Sequence, residues 1–459
     1  MPANPAPLLV FHAAHALLPS GWARDVRIAC QGGTLVEVTA GVPAQPGDTA
    51  LAIAVPGLGN LHSHAFQRGM AGLTEIGGNS GDSFWSWREL MYRFLAHLQP
   101  DAVQAIAEQA YVEMLESGFT RVGEFHYLHH AADGTPYADR AEMAARIAAA
   151  AQGSGIGLTL LPVFYAHADF GGVAPNPAQR RLIHDVDGFA ELLQGCAHAL
   201  RGSDDAVLGI APHSLRAVTG DELAALLPLT AGPVHIHIAE QTREVDACVA
   251  WSGLRPVRWL YEHAPVDARW CLVHATHVDA DEVQRMVASQ AVVGLCPITE
   301  ANLGDGLFPM QAFVRAGGRF GVGSDSNVLI DAAEELRLLE YGQRLHVRGR
   351  NVLAPGDGQS SGRWLFEQSL RGAGQALGVA TGLQVGAPAD VVELDAAHPA
   401  LIAREGDALL DSWVFAARNG AVRSVWRQGR QLVREGRHLQ RDAVAARFAN
   451  ALRTVLQAG

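Results

Sequence analysis

The feature that most constrains the fold is a repeated alternation of short apolar segments with Ala/Leu-rich helical segments. Eight segments have the character of buried strands: GLGNLHSH, RVGEFHY, LTLLPVFY, VLGIAPHS, VHIHIAE, CLVHATH, AVVGLCP and FGVGSDSN. Helical stretches such as DAVQAIAEQAYVEMLES, DELAALLPL and DEVQRMVASQ lie between them, and AAEELRLLEYGQRLH follows the last. This order predicts an α/β chain with a (β/α)8 TIM barrel over residues 56–382, since such a barrel needs about 250 residues. A doubly wound sheet is the alternative, but no Gly-rich phosphate turn follows the first strand.

The two ends of the chain have a different pattern. DVRIACQGG, TLVEVTAG and LAIAVPG precede the barrel region, and ADVVELD and AVRSVWRQGRQLVREG follow it, with turn residues between these strand-like runs. Because both ends flank the barrel, they are predicted to pair into one small domain. We expect a discontinuous β-sandwich built from residues 1–55 and 383–459.

Composition excludes several classes of protein. Of 459 residues, 49% are hydrophobic, enough for a large core, yet no run of eighteen apolar residues predicts a membrane span. The N-terminal apolar stretch lacks a preceding basic region, and the five cysteines show no CxxC spacing, so a cytoplasmic protein is expected. The net charge of −12 argues against a nucleic-acid partner and requires local arginines to bind any acidic substrate.

Lysine is absent, and all 35 basic residues are arginine. Schiff-base chemistry, a P-loop lysine and a metal bridge made from carbamylated lysine are therefore excluded. Because two-metal sites of the kind considered below commonly use that bridge, a single metal ion is favoured. A glutamate or cysteine bridge is the alternative.

Titratable side chains end most of the predicted strands. Active-site residues of TIM barrels lie at the C-terminal ends of the strands. One histidine there is more often structural, but six strand ends with this chemistry indicate a functional site. The residues at these ends are His62, Ser63, His64, Glu124, His126, Tyr127, His213, His237, Glu240, His274 and Asp325.

His62 and His64 are two residues apart on one strand, so both side chains point to the same face. A second such pair is His235 and His237; the latter lies nearer its strand end and is the preferred ligand, whereas His235 is interpreted as a core residue. Together with Asp325, the candidate ligands offer three nitrogens and one oxygen, which suits one divalent metal ion. Zn²⁺ is the first expectation, and Fe²⁺ or Mn²⁺ are the alternatives. Such an ion makes water acidic enough to attack near neutral pH.

Two further residues are candidates for acid–base chemistry. Glu240 lies three residues after His237 and can carry protons between water and a leaving group. His274, at the end of the next strand, can hydrogen-bond the attacking oxygen. Its alternative interpretation is support of the metal ligands.

The motifs PGLGNLHSHAFQRGMAG, HIHIAEQ, LVHATH and GVGSDSN together resemble the amidohydrolase superfamily, in its mononuclear-metal aminohydrolase branch. HSHAFQRGMAG, VGEFHYLHH, APHSLR and HIAEQ resemble the formimidoylglutamate deiminases, which hydrolyse N-formimino-L-glutamate to N-formyl-L-glutamate and ammonia in histidine degradation. The resemblance implies a homodimer and the metal ligands His62, His64, His237 and Asp325. It also implies that Glu240 shuttles protons, that His274 orients the attacking oxygen, and that Asp325 accepts a proton from the water.

The substrate implied by this resemblance is a small acidic amidine with two carboxylates. Arginine binds a carboxylate through two parallel hydrogen bonds. The residues that the resemblance places at the substrate are Gln67, Arg88, Tyr127, His213 and Arg216. Trp85 and Trp87 are interpreted either as part of a lid or as packing at the barrel rim.

Two other functions are considered. A related deaminase or chlorohydrolase of a purine, pyrimidine or triazine would use aromatic stacking and amide recognition, whereas the arginines after the first and fourth strands favour a dicarboxylate. A non-catalytic binding barrel is the third possibility. It would be expected to lack a metal ligand or the shuttle, and every one of these residues is present.

Overall fold

The computed structural model describes residues 7–77, 83–418 and 420–458. The strands are β1 (Leu9–Leu18), β2 (Gly21–Gln31), β3 (Thr34–Thr39), β4 (Thr49–Pro56), β5 (Leu58–Ser63), β6 (Phe119–His126), β7 (Gly157–Phe164), β8 (Val207–Leu208), β9 (Ala211–Pro212), β10 (Val234–Ile238), β11 (Trp270–His274), β12 (Val292–Leu295), β13 (Arg319–Val322), β14 (Val391–Leu394), β15 (Val422–Arg427), β16 (Arg430–Arg434) and β17 (Arg437–His438).

The helices alternate with β5–β13 and then continue towards the C-terminus. They are α1 (Phe84–His97), α2 (Pro100–Ser117), α3 (Glu142–Ser154), α4 (Val186–Ala199), α5 (Gly220–Leu226), α6 (Thr242–Ser252), α7 (Pro256–His263), α8 (Ala280–Ser289), α9 (Pro297–Leu303), α10 (Met310–Arg315), α11 (Ala332–Val347), α12 (Ser361–Leu377), α13 (Asp407–Phe415) and α14 (Arg441–Ala458). None of them, among the residues just given, is long and apolar enough to cross a membrane.

All eight apolar segments of the predicted barrel are strands, and the fourth is split into β8 and β9. They form two parallel sheets, one of β5-β6-β7-β8 with β9 beside β7, the other of β10-β11-β12-β13. The α/β class is confirmed. Isolated parallel bridges join the two sheets at both sides, between Ser63 and Asp325 and between Ile210 and Val234.

The terminal strands lie in one sheet that contains strands from both ends of the chain. The order is β17-β16-β15-β14-β4-β1-β2-β3, and antiparallel pairing of β4 with β14 sets Pro56 opposite Val391. Phe11, Ile28 and Trp426 belong to a separate apolar core on this sheet. The described strands follow one sheet path, so the two-layer sandwich stays a prediction, and residues 1–6 and 459 of that predicted domain lie outside the described residues.

The C-terminal segment also contains two helices where the sequence analysis predicted only strands. Helix α14 packs on α2, and Arg447 Nη2 lies 2.8 Å from Glu108 Oε1 across that contact. Only Val444 and Val455 of α14 are buried. A helix with so narrow an apolar stripe gives a weak periodic signal, which is why sequence patterning missed it.

The C-terminal ends of the parallel strands carry backbone conformations that are uncommon for side-chain-bearing residues. His274 has φ 67° and Asp325 has φ 45°, both in the left-handed region. The backbone NH of His64 donates to the Asp325 carbonyl and that of Asp325 donates to the His62 carbonyl, both at 2.9 Å. These two bonds fix the segment after β13 against the HSH segment of β5.

Candidate metal centre and active site

Three imidazole nitrogens from two strands converge on one point. His62 Nε2 lies 3.2 Å from His64 Nε2 and 3.1 Å from His237 Nε2, and the latter two are 3.3 Å apart. Asp325 Oδ1 lies 3.3 Å from His64 Nε2 and 3.5 Å from His62 Nε2. The four side chains predicted as metal ligands are therefore gathered within a few ångströms of one another.

Hydrogen bonds at the far side of two rings fix which nitrogen faces the centre. His64 Nδ1 donates to the Phe125 carbonyl at 2.8 Å, and His237 Nδ1 donates to the His213 carbonyl at 3.0 Å. Their Nε2 atoms consequently carry lone pairs when the rings are neutral. Burial lowers the pKa of these three candidate histidines, that of His62 to about 3, so the neutral form prevails.

Converging lone pairs beside a carboxylate repel one another unless a cation lies between them. Burial raises the pKa of Asp325, but its hydrogen bond to His62 and the nearby histidines lower it overall, below its usual value, so this side chain supplies a negative charge. Three neutral nitrogens and one carboxylate oxygen are a donor set that zinc accepts. The residues present therefore fit a divalent metal ion.

Glu240 and His274 lie next to this centre and face each other. Glu240 Oε1 is 3.7 Å from His274 Nε2, which is also 3.7 Å from Asp325 Oδ2. Burial raises the pKa of Glu240 to about 7. Burial lowers the pKa of His274. The charge of Glu240, a hydrogen bond to Glu300 and the charge of Asp325 outweigh burial and raise this pKa to about 10. A carboxyl group that titrates near neutral pH beside a protonated imidazole is suited to proton transfer.

Glu244 holds the turn that presents Glu240. Its two carboxylate oxygens accept hydrogen bonds from the backbone NH groups of Ala239 and Glu240, at 3.3 and 3.2 Å. Ala239 itself has φ 51°, so the chain turns sharply between β10 and α6. The carboxylate at the start of α6 stabilises this turn and thereby the direction of the Glu240 side chain.

One pocket is lined by three of the four metal candidates and by every residue predicted at the substrate. Gln67 Nε2 donates to the Tyr127 hydroxyl at 2.8 Å, which orients both side chains. The predicted residues that line this pocket are Gln67, Arg88, Tyr127, His213 and Arg216, beside His64, His237, Glu240, His274 and Asp325. His62 lies behind them, fully buried.

The two arginines of the pocket have no ion-pair partner among the described side chains. Arg216 is buried, and its Nε has no hydrogen-bond partner. Neither Arg88 nor Arg216 forms an ion pair within the described chain. Burial lowers the pKa of Arg216, but the Glu244 and Glu240 charges raise it above its usual value, so the group stays charged. An anionic ligand would satisfy both groups.

Several residues of the site were not predicted from the sequence. Glu300 lies 3.2 Å from His274 Nδ1, and Asp305 accepts a hydrogen bond from Gln241. Both come from ITEANLGDG, the segment after the seventh strand, so the signal that could have found them is the run of acidic residues just beyond that strand end. The pocket residues missed are Phe84, Met91, Tyr92, Tyr165, Leu182 and Leu303.

The two tryptophans and the second HxH pair also have defined places. Trp87 lines the pocket, whereas Trp85 contacts arginine side chains at its rim. His235 is fully buried, and its Nε2 lies 2.8 Å from the Ala376 carbonyl. This position agrees with its interpretation as a core residue.

Two family models match the chain. The model of the amidohydrolase family matches residues 53–432, and that of the N-terminal domain of the formimidoylglutamate deiminase HutF matches residues 9–50. Among curated proteins, formimidoylglutamate deiminase of Pseudomonas aeruginosa PAO1 is 52% identical over 97% of this chain and 99% of its own length. The 5-methylthioadenosine/S-adenosylhomocysteine deaminase of Natronomonas pharaonis is 29% identical over 85% of this chain and 84% of its own length.

Solved structures agree with these matches. A crystal structure of an amidohydrolase from Brucella melitensis has a TM-score of 0.95 at 54% identity, covering 98% of this chain and 100% of that chain. Zinc-complexed atrazine chlorohydrolase TrzN from Arthrobacter aurescens TC1 has a TM-score of 0.81 at 18% identity, covering 97% of this chain and 100% of that chain, a likeness of fold alone. The chain belongs to the amidohydrolase family.

Proposed function

We propose that the protein hydrolyses N-formimino-L-glutamate to N-formyl-L-glutamate and ammonia, as a hydrolase of C–N bonds in linear amidines in histidine degradation. The observation that carries this proposal is that one pocket combines a cluster able to hold a metal ion with two arginines able to bind two carboxylates. The His/Asp cluster lies at one side, and the charged Arg88 and Arg216 line the same pocket. The 52% identity to a curated formimidoylglutamate deiminase supports the same substrate.

Zinc is the ion we propose for the centre, with Fe²⁺ and Mn²⁺ as rivals. His62, His64, His237 and Asp325 would hold it. When bound, the ion supplies the charge that makes water a nucleophile near neutral pH. The remaining chemistry belongs to the side chains around it.

The reaction adds water across the C=N bond of the protonated formimino group and then breaks the bond to the leaving nitrogen. Asp325 accepts a proton from the attacking water. Glu240 delivers a proton to the nitrogen, which leaves as ammonia while the carbon–oxygen double bond forms. His274 donates a hydrogen bond to the oxygen through Nε2, the atom that faces both Glu240 and Asp325.

Substrate orientation comes from the arginines and their neighbours. Arg88 and Arg216 bind the two carboxylates, while Gln67, Tyr127 and His213 complete the contacts. Arginines held in place before binding reduce the entropy cost of aligning the formimino carbon.

We infer further that the two parallel sheets close into one (β/α)8 barrel, which the bridges from Ser63 to Asp325 and from Ile210 to Val234 support. The terminal residues 1–55 and 383–459 are proposed as the small domain beside it. A homodimer, a cytoplasmic location and the absence of nucleic-acid and membrane partners remain predictions of the sequence.

A deaminase of a purine, pyrimidine or triazine is the second candidate. The 29% identity to a 5-methylthioadenosine/S-adenosylhomocysteine deaminase and the aromatic residues Phe84, Trp87 and Tyr92 of the pocket favour it. Against it stands Arg216, which is buried in the pocket without an ion-pair partner in the described chain and would remain unpaired beside a neutral base.

The test is ammonia release by zinc-loaded protein from N-formimino-L-glutamate, with N-formimino-glycine and guanine as comparisons. Rapid release from the glutamate derivative alone is expected, because only this compound has two carboxylates. Activity on guanine without activity on N-formimino-L-glutamate would keep the metal centre and overturn the substrate.

A further inference from the structure

Three arginines from three different parts of the fold converge on Trp85. The guanidinium carbon of Arg243 lies 4.5 Å from the centroid of the indole, that of Arg88 at 5.0 Å and that of Arg216 at 5.6 Å. Trp85 and Arg88 lie on α1, Arg216 follows β9, and Arg243 lies in the first turn of α6. Tertiary packing alone brings these charges together.

None of the three arginines has a carboxylate within ion-pair distance in the described chain, although the more distant Glu244 and Glu240 interact electrostatically with Arg216. They take part in no ion pair there, whereas arginines elsewhere, such as Arg255 and Arg344, have carboxylate partners at 2.8 and 2.6 Å. Arg216 is 6% exposed, and its Nε has no partner. The indole face attracts each cation but carries no net charge, so positive charge remains at this end of the pocket.

The three groups differ in their access to solvent. Arg88 and Arg216 line the pocket, while Arg243 is exposed and contacts the half-buried Trp85 from outside the pocket lining. An anion that binds Arg243 is therefore separated from Arg88 and Arg216, which line the pocket, only by the Trp85 side chain. The chain carries a net charge of −12, which disfavours the approach of a carboxylate ligand. Positive side chains at the entrance would offset this repulsion locally.

We propose that Arg243, held by Trp85, is an entry site that captures the dicarboxylate substrate and passes it to Arg88 and Arg216. This rests on the proposed function in so far as the substrate carries two carboxylates. Arg243 acts on capture and leaves the chemical step unchanged. Trp85 is a positioning residue, since it holds the three guanidinium groups at fixed separations.

The test is the salt dependence of kcat/KM for zinc-loaded Arg243→Gln. At about 0.01 M ionic strength, where the screening length is about 30 Å, kcat/KM for N-formimino-L-glutamate should fall roughly five-fold, and at about 1 M the loss should vanish. The kcat should not change. Arg243→Lys keeps the charge and should stay within about two-fold of the unmodified protein.

Arg285→Gln is the matched control, because Arg285 lies half-buried on α8 and is paired with Asp281. It removes the same charge and should not change kcat/KM. A loss in Arg243→Gln that persists at high salt, a loss in kcat, or an equal loss in Arg285→Gln would overturn the entry site.

A binding measurement separates this proposal from the proposed function. N-formyl-L-glutamate, a dianion, and N-formylglycine, a monoanion, are titrated into zinc-loaded protein by calorimetry. Arg243→Gln should weaken the dianion several-fold more than the monoanion at low salt. If the unmodified protein binds the dianion but does not hydrolyse N-formimino-L-glutamate, the function fails while the entry site stands. Equal weakening of both ligands, or none, refutes the entry site.

Discussion

His274 is fixed by Glu300. Its Nδ1 lies 3.2 Å from Glu300 Oε1, an oxygen that also accepts the backbone NH of Cys296 at 2.9 Å. The other ring nitrogen is thereby directed at Glu240 and Asp325, 3.7 Å from each. Glu300, which contacts His274 but neither Glu240 nor Asp325 in these hydrogen bonds, thus orients the His274 imidazole.

We predict that Glu300→Gln lowers kcat by roughly 10- to 100-fold while zinc content is retained, because His274 loses its charged partner but the ligands are untouched. Glu335→Gln is the control, since Glu335 is also buried and accepts a backbone NH from Ile298 at 3.0 Å. Steady-state kinetics and metal analysis of both variants check this. An equal fall in kcat in the two variants would assign Glu300 a structural role.

Removal of the metal should abolish turnover and lower the melting temperature. Without a cation the lone pairs of His62, His64 and His237 converge within 3.3 Å, and ligand binding to the folded state alone stabilises it. Chelator-treated protein is measured by ammonia release and calorimetry, and Zn²⁺ should restore both properties. Full activity after verified metal loss would contradict the proposed mechanism.

Glu240→Gln should keep the metal and reduce kcat by about 10²- to 10⁴-fold, since the amide cannot carry a proton to the leaving nitrogen. Rates near those of the unmodified protein, at normal zinc content, would remove Glu240 from the mechanism.

Arg216→Met should raise KM about 30-fold, equivalent to about 2 kcal/mol, without expelling the metal. Arg216 lines the substrate pocket but is not among the four metal candidates. His237→Ala is the comparison that should lose metal. Equal metal loss in both variants would refute the separation of ligand and substrate roles.

Stability should fall as the pH drops below about 6.5, in part because of His184. Burial, together with His130 and Arg140, lowers its pKa from 6.5 to about 3. The unfolded chain therefore binds more protons than the folded protein between these pH values, at a cost of up to about 1.4 kcal/mol per pH unit. His184→Gln should flatten this slope in denaturant titrations, whereas His198→Gln on the exposed face of α4 should not. Identical slopes in all three proteins would contradict the assignment.

Much of the site could be predicted from local sequence. HSH and SDS end strands whose apolar residues specify burial, and parallel strands bring their C-terminal ends to one edge, so His62, His64 and Asp325 had to be neighbours once the barrel pattern was recognised. Glu300 and Asp305 were missed because neither lies at the strand end itself: Glu300 is in the first turn of α9, and Asp305 follows that helix.

The sequence by itself determined the alternation of strands and helices, the chemical types of the candidate metal ligands and the lack of lysine. These are properties of residue spacing and composition, which do not depend on how the chain folds. Only the tertiary structure decided that Glu300 supports His274 and that Arg88, Arg216 and Arg243 share one indole. Such contacts join loops and helices far apart in the chain, and their distances depend on how the helices pack around the sheets, which no local pattern encodes.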